Sequence, residues 1–294
     1  MAKLYIIGNG LDLHFGLKTG TKDFENCLHN QRVYGFHGDA LDVLNSYGVD
    51  WSDYEQSLCN LDIDEIMVEN EIYPDYLSDH EYDRDSGISN MNNLTINLRV
   101  AINNALQKMI EDADEALEVL KETGTPIRLF QSGDVIISFN YTLTLELLFE
   151  IPTNIRIYHI HGLGSSGGPL IFGYQKGLYT EQWIGAYNED QDFYITKQRE
   201  TVYDFYQSWA KQYQLQPLAK YLSVPNNLNE VVVLGHSMGL VDAIYIEYIE
   251  QIIHPQTWNI SYHDYSRISE IKKRYSFSYK FKFYEFDKLL NNYH

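Results

Sequence analysis

Two stretches of sequence decide the fold class: LYIIGNGLD at residues 4–12 and VVVLGHSMG at residues 231–239. Each begins as a continuous apolar run and then reaches a glycine. A run without polar alternation is typical of a strand that is buried on both faces, as in parallel sheets covered by helices on both sides. The glycine at the end of each run predicts a tight turn directly after the strand.

Working outward, four further short apolar runs predict strands, and helical patterns lie between the runs. Alternating strands and helices favour an α/β fold with an open, mostly parallel, Rossmann-like sheet. The last run alternates from Phe277 onward, with Phe277, Tyr279, Phe281 and Phe283 on one face and lysines on the other, which predicts an edge strand. The six predicted strands are residues 4–8, 135–139, 155–161, 231–235, 258–262 and 279–286, and the predicted helical segments are 141–150, 180–222, 240–253 and 264–275.

Most of the acidic charge lies in one segment. Residues 50–123 hold 19 acidic and 4 basic residues, whereas the rest of the chain holds 22 and 18. From Leu94 the apolar residues recur every three or four positions, which predicts a helix of about seven turns. We interpret its acidic side as a solvated face, with a docking surface for a basic protein as the alternative. The predicted domain organisation is a core of residues 1–19 and 132–294, with residues 20–131 as an acidic helical insertion.

Composition excludes several classes of protein. A net charge of −19 argues against binding to DNA or RNA, because phosphate backbones are bound mainly by Lys and Arg. The two cysteines, Cys27 and Cys59, exclude a disulfide framework and a four-cysteine zinc module. No apolar run is long enough for a membrane helix, and the N-terminus lacks the pattern of a signal peptide. We therefore expect a soluble, cytoplasmic protein without membrane association.

Polar residues follow four of the predicted strands at the point where each strand ends. Ligands of parallel α/β sheets bind beyond the carboxyl ends of the strands, so these residues are candidates for a shared site. Asn140 and His161 follow the second and third strands and are the candidate catalytic residues. The candidate nucleotide-binding residues follow the first and fourth strands: Gly8, Asn9, Gly10, Asp12, Gly235, His236, Ser237 and Asp242. Alternatively, the two aspartates cap helices, Asn140 is a turn residue and His161 is a core histidine.

Three neighbouring motifs have competing interpretations. Residues 162–167 match the pattern Gly-x-Gly-x-x-Gly, but no helix pattern follows, so we interpret them as a loop. His159 and His161 share a strand face, yet no third ligand has suitable spacing, and no metal is expected. Gly-x-Ser-x-Gly around Ser237 fits the nucleophile turn of a serine hydrolase. That alternative needs Asp264 and the terminal His294 as its acid and base.

Several segments together resemble the bacteriophage abortive infection AbiH family. They run in order along the chain, and "WNISYH" with the final strand fits the tail of the family. The resemblance implies a bacterial antiphage role and leaves the chemistry open. The segments are IIGNGLDLHFGLKT, WSDYEQSL, IISFNYTLTLE, YHIHG, IFGYQ and VVLGHSMGLVD, between residues 6 and 242.

The order of these strand ends is also similar to sirtuins and to sirtuin-like NAD-hydrolysing domains of phage defence. That resemblance implies that the Gly8–Gly10 turn lies at the NAD pyrophosphate and the Gly235–Ser237 loop at the adenosine ribose. It implies that Asn140 lies by the nicotinamide ribose and that His161 is the catalytic histidine. The sequence departs from sirtuins at Thr142, where they have an aspartate, and in lacking their four zinc cysteines, so protein deacylation is not expected.

The residues themselves suit cleavage of a nucleotide glycosidic bond. The amide of Asn140 can hold a water or a ribose hydroxyl, and a neutral His161 can accept a proton near neutral pH. We therefore expect an antiphage glycohydrolase that acts on NAD or a related nucleotide and needs no further cofactor. The expected partners are a small-molecule nucleotide and either a second copy of the chain or an activating protein. The alternatives are the Ser237 hydrolase and a nucleotide-sensing module without turnover.

Overall fold

A computed structural model of the chain describes residues 2–34, 38–51, 53, 55–186, 192–223 and 228–293. Its six strands form one sheet in which all neighbouring strands are parallel, in the order β3-β2-β1-β4-β5-β6. The open, parallel α/β sheet is therefore confirmed. The strands are β1 Lys3–Ile7, β2 Val135–Ser138, β3 Ile157–His159, β4 Glu230–Leu234, β5 Thr257–Tyr262 and β6 Phe281–Glu285.

Eleven α-helices lie within the described residues, and α2 to α5 fill much of the stretch between the first two strands. None of the described helices is long and apolar enough to cross a membrane. The helices are α1 Gly10–His14, α2 Thr21–His29, α3 Ala40–Ser46, α4 Ile63–Asn70, α5 Glu81–Thr123, α6 Thr144–Leu148, α7 Phe193–Gln207, α8 Leu215–Leu222, α9 Ala243–Ile253, α10 Ile268–Arg274 and α11 Phe286–Tyr293.

The continuous apolar runs are explained by burial on both faces of the sheet. In β1, Leu4 and Ile6 face one apolar core, while Tyr5 and Ile7 face another. The first core includes side chains of α8, α9 and α10, and the second includes side chains of α5, α6 and α11. These four residues of β1 are fully buried. Burying each large apolar side chain contributes about 1.5–3 kcal/mol, so alternation with polar residues would be costly here.

Several predicted elements differ from the structure at their ends: β3 is shorter than the predicted strand 155–161, and the predicted helical segment 180–222 contains two α-helices, α7 and α8. Helix α5 begins at Glu81, well before the predicted start at Leu94. Residues 81–93 are mostly polar, so the hydrophobic pattern does not reveal the first turns of the helix. The last strand begins at Phe281, since residues Ser278–Lys280 form a 3₁₀ turn. Tyr279 is therefore 82% exposed, and the prediction that it shares a buried strand face is wrong. The edge position of the last strand and the exposure of Lys282 are confirmed.

The chain divides into two compact units. The first, Met1–Gly20, Met109–Ile171 and Gln212–His294, contains the whole sheet. The second, Thr21–Lys108 and Phe172–Lys211, contains α2, α3, α4, α7 and most of α5. Within the second unit the ammonium group of Lys211 is fully buried against the carboxylate of Glu55, at 2.6 Å. The predicted core and insertion, with boundaries at residues 19 and 131, stay a prediction.

At the centre of the sheet, the turns after β1 and β4 touch through their backbones. Gly8 N donates to Leu234 O at 2.9 Å, and Gly10 N donates to Gly235 O at 2.7 Å. A Cβ on Gly10 would lie 2.7 Å from Gly235 Cα, and a Cβ on Gly235 would lie 2.3 Å from Leu11 N. Gly235 also has a φ of +70°, which side chains disfavour. The glycines are thus required for these two turns to meet.

We predict that Gly235→Ala destabilises the protein far more than Gly16→Ala. Both glycines have positive φ, +70° and +77°, but a Cβ at Gly16 meets no atom within 4 Å. Gly16→Ala should therefore cost only the backbone strain, about 1–2 kcal/mol. Gly235→Ala adds a clash with the backbone of the β1 turn, and its loss should exceed about 3 kcal/mol. Urea unfolding measures both losses, and equal losses would contradict this account of the turn.

Candidate functional site

Four parallel strands end on a common rung, which brings the candidate residues together. The rung is formed by residues that pair from strand to strand: His159, Ser138, Ile7 and Leu234. Backbone hydrogen bonds continue one residue further, from Phe139 N to Ile7 O and from Ile160 N to Ser138 O. Two positions beyond the rung, each of the four strands is followed by a polar residue. These residues are His161, Asn140, Asn9 and His236.

The buried carboxylate of Asp12 accepts three hydrogen bonds from side chains that follow β2. Its Oδ1 accepts hydrogen bonds from Asn140 Nδ2 at 2.8 Å and from Thr144 Oγ1 at 2.6 Å. Its Oδ2 accepts one from Thr142 Oγ1 at 2.7 Å. Burial raises the pKa of Asp12 to about 6, although these three hydrogen bonds act in the opposite direction. Asp12 therefore binds the segment that follows β2, through contacts that neither the ribose nor the capping interpretation anticipated.

Asn140 is held at both its backbone and its side chain. It is 4% exposed, and its backbone N donates to Ser138 Oγ at 3.2 Å. Its side-chain Nδ2 is occupied by Asp12, so the amide orientation follows from the carboxylate, which can only accept. The other amide atom, Oδ1, is buried and has no hydrogen-bond partner in the described part of the chain. A buried, unsatisfied carbonyl oxygen is costly and marks a position that suits a ligand or a water.

His161 is paired with a carboxylate that the sequence did not connect to it. Its Nε2 lies 3.0 Å from Asp242 Oδ1, and both side chains are largely buried. Because a carboxylate oxygen accepts, Nε2 carries the ring proton and donates a hydrogen bond to Asp242. The second ring nitrogen, Nδ1, is buried without a hydrogen-bond partner among the described residues. A carboxylate that orients an imidazole in this way is typical of a general base.

Asp242 also binds His236, so one carboxylate serves two imidazoles. His236 Nδ1 accepts a hydrogen bond from Met238 N at 3.0 Å, which places the ring proton on Nε2. That nitrogen lies 3.1 Å from Asp242 Oδ2. Asp242 stands at the start of α9 but makes no side-chain capping bond to it. Its predicted use as a helix cap is therefore wrong.

Aromatic rings surround His161 on several sides. Tyr141 stacks on it with ring centroids 5.8 Å apart, and Phe139 meets its ring edge-to-face at 5.1 Å. Tyr245 lies at 6.1 Å. Tyr141 is itself fixed, because its hydroxyl donates to Ile171 O at 2.8 Å. The imidazole thus has a defined orientation in an apolar surrounding, where an unpaired nitrogen is not satisfied by bulk water.

The remaining nucleotide-binding candidates divide into turn residues and an exposed serine. Asn9 Nδ2 donates to Thr19 O at 2.8 Å and so fixes the loop after β1. Gly8, Gly10 and Gly235 lie in the contact between the two turns. Ser237 is exposed. Contact of these residues with a nucleotide stays a prediction.

Among the described residues, none supplies a base for the serine-hydrolase alternative. Ser237 Oγ accepts a hydrogen bond from Gly239 N at 3.2 Å, and no imidazole contacts it within the described ranges. Both imidazoles nearby are paired with Asp242. Asp264 instead accepts hydrogen bonds from the N and Oγ of Ser266. The other required residue, His294, lies outside the described residues.

Two motifs remain, the histidine pair and the glycine-rich segment 162–167. His159 Nε2 lies 2.8 Å from Glu146 Oε1, and no cluster of three metal-ligating side chains occurs among the residues described. The Gly-x-Gly-x-x-Gly segment forms a 3₁₀ turn at Gly164–Ser166, with no helix directly after it. It is a loop, as its sequence context indicates.

Sequence reasoning missed the residues that support the candidate pair. Thr142 and Thr144 bind Asp12, Ser138 binds the backbone of Asn140, and Ser261 Oγ accepts from Gly235 N at 2.9 Å. A signal was present for the threonines, which continue an alternation of polar residues from Asn140. Their shared partner, however, lies about 130 residues earlier in the chain.

The profile of one protein family, described as bacteriophage abortive infection AbiH, matches residues 4–262. This range contains every candidate site residue. No curated protein matches the chain.

We predict that Asp12→Asn changes how stability depends on pH. The folded protein titrates Asp12 at about 6, whereas an unfolded aspartate titrates near 4. The folded state therefore binds an extra proton between these values, and the wild type loses stability as pH rises from about 4 to 6. The substitution removes this contribution, which is at most about 3 kcal/mol.

Urea unfolding of both proteins at several pH values between 4 and 7.5 measures this effect. The free energy of unfolding of the wild type should fall relative to that of the variant as pH rises. Parallel pH dependences in the two proteins would contradict the raised pKa of Asp12.

Proposed function

Because the chain belongs to the bacteriophage abortive infection AbiH family, its role is in antiphage abortive infection, and we propose that it acts there as a sirtuin-like nucleotide glycohydrolase. The proposed substrate is NAD or a related nucleotide, and the bond cleaved joins the base to its ribose. The proposed catalytic residues are Asn140 and His161.

One observation carries the proposal. Asn140 Oδ1 and His161 Nδ1 are buried polar atoms without a hydrogen-bond partner in the described chain. The two residues occupy equivalent positions beyond neighbouring parallel strands, whose spacing is about 4.8 Å. Buried acceptors without a hydrogen-bond partner cost stability unless a ligand or water engages them. They suit a hydroxyl or a water that must be held and deprotonated.

The chemistry needs such an arrangement. Loss of the base leaves positive charge on the ribose, and a water must then bond to its anomeric carbon. In the proposal, His161 Nδ1 takes the proton of that water or of a ribose hydroxyl, while Asp242 stabilises the imidazolium that forms. Asn140 Oδ1 accepts a hydrogen bond that fixes the same group in place. No group on the protein needs to form a covalent intermediate.

The position in the sheet also supports a nucleotide ligand. The strand order reverses between β1 and β4, and ligands of doubly wound sheets bind at the carboxyl ends near this switch point. The turns Gly8–Gly10 and Gly235–Ser237 lie there, one strand and two strands away from Asn140. In the proposal these turns contact the rest of the nucleotide, with the exposed Ser237 hydroxyl available to a ribose. Asp12, His236 and Asp242 act through Asn140 and His161.

We predict that His161→Ala and Asn140→Ala abolish most of the turnover of NAD. Loss of the general base should lower the rate by about 10²- to 10⁴-fold. Loss of Asn140 should also be severe, because a misplaced water or ribose forfeits orientation. Ser237→Ala should raise KM mainly, since one ribose hydrogen bond is worth about 0.5–1.5 kcal/mol. Chromatography of the products from NAD, NADP and ATP measures these rates.

His159→Ala is the matched control for His161→Ala. His159 lies on the same strand and is also paired with a carboxylate, Glu146, but has no part in the proposed chemistry. It should retain turnover. An inactive Ser237→Ala with normal Asn140→Ala, together with labelling of Ser237 by a fluorophosphonate, would establish a serine hydrolase instead. The nucleotide-sensing alternative predicts that the wild type has no turnover at all.

A further inference from the structure

The two unpartnered atoms of the site are of the same hydrogen-bonding type. An amide side chain offers one acceptor and one donor group, and a neutral imidazole offers one of each. In both Asn140 and His161 the donor is already used by a buried carboxylate, Asp12 in one case and Asp242 in the other. What remains is an oxygen lone pair and a nitrogen lone pair. The free atoms are therefore both acceptors.

The second histidine strengthens this assignment for His161. Asp242 accepts at Oδ2 from His236, whose own tautomer is fixed by the N–H of Met238. Each carboxylate oxygen of Asp242 thus accepts a hydrogen bond from one imidazole N–H, Oδ1 from His161 and Oδ2 from His236. The Nε2–H tautomer of His161 follows, with Nδ1 as the lone pair.

A hydroxyl network does the same for Asn140. The hydroxyl groups of Thr142 and Thr144 each donate a hydrogen bond to the carboxylate of Asp12. A rotated Asn140 amide would place its oxygen against Asp12, where two acceptors repel each other. The amide can therefore adopt only one orientation.

We propose that Asp12 and Asp242 are positioning residues that fix Asn140 and His161 as a hydrogen-bond acceptor pair, and that this pair selects the uncharged diol of a ribose rather than a phosphate. The inference rests on the proposed function for the identity of the ligand. The negative charges of Asp12 and Asp242, which contact Asn140 and His161, disfavour binding of an anion at the two acceptor atoms. They favour hydroxyl donors and the positive charge that develops on a sugar. The ribose whose bond is cleaved thus lies over β2 and β3, and the phosphates of the nucleotide lie away from this pair.

The tautomer of His161 is the first test. In a ¹⁵N-correlated NMR spectrum of the wild type at pH 8, His161, assigned by comparison with His161→Gln, should carry its proton on Nε2 and a bare Nδ1. Asp242→Asn offers an N–H in place of an acceptor and should shift His161 toward the Nδ1–H form. Asp134→Asn, a buried carboxylate at the amino end of β2, should leave the wild-type pattern. An Nδ1–H tautomer in the wild type would overturn the proposal, and this spectrum requires no turnover and no ligand.

Ligand selection is the second test. ADP-ribose should bind the wild type about tenfold more tightly than its analogue without the diol at C2 and C3 of the terminal ribose, as two hydrogen bonds imply. Asp242→Asn should lose this preference and Asp134→Asn should keep it. Equal binding of the two compounds by the wild type would refute selection of a diol. If neither nucleotide binds, the proposed function fails, whereas the NMR result still decides whether Asp242 fixes His161 Nδ1 as an acceptor.

Discussion

The backbone contact between the turns after β1 and β4 is the constraint on which the rest of the site depends. Gly8 and Gly10 meet Leu234 and Gly235 through direct hydrogen bonds, without side chains between them. This contact fixes the ends of the two central strands at the same level. The register of strand pairing then aligns β2 and β3. Asn140 and His161 therefore each lie two residues beyond the last paired residue of their strand. A side chain at any of these glycines would separate the turns and displace the candidate residues.

Buried carboxylates give this arrangement its chemical character. Asp12 and Asp242 are mostly or fully removed from water, yet each accepts hydrogen bonds from several groups. Such networks are worth their desolvation cost only when every donor is matched. Here the two carboxylates accept from donor groups of Asn140, Thr142, Thr144 and two histidines. Only two acceptor atoms of these side chains, Asn140 Oδ1 and His161 Nδ1, lack a hydrogen-bond partner among the described residues. The unsatisfied atoms of the network are therefore the two that the proposal assigns to substrate binding.

The sequence predicted the sheet well because burial on both faces leaves a continuous apolar run, as in residues 4–7 and 231–234. It also predicted which strand ends carry polar residues. It did not predict the pairing of Asp12 with Asn140 or of His161 with Asp242, because those contacts join residues 128 and 81 positions apart. The first three turns of α5 were missed because they are polar, and the final strand was placed too early because a 3₁₀ turn can also alternate in sequence.

In the proposed function, the antiphage role of this AbiH family protein rests on cleavage of a nucleotide glycosidic bond at Asn140 and His161. The most direct measurement is a time course of purified wild-type protein with NAD, resolved by chromatography. The account predicts that nicotinamide and ADP-ribose appear in equal amounts as NAD disappears. Intact NAD throughout the time course, or products cleaved at the pyrophosphate, would contradict it.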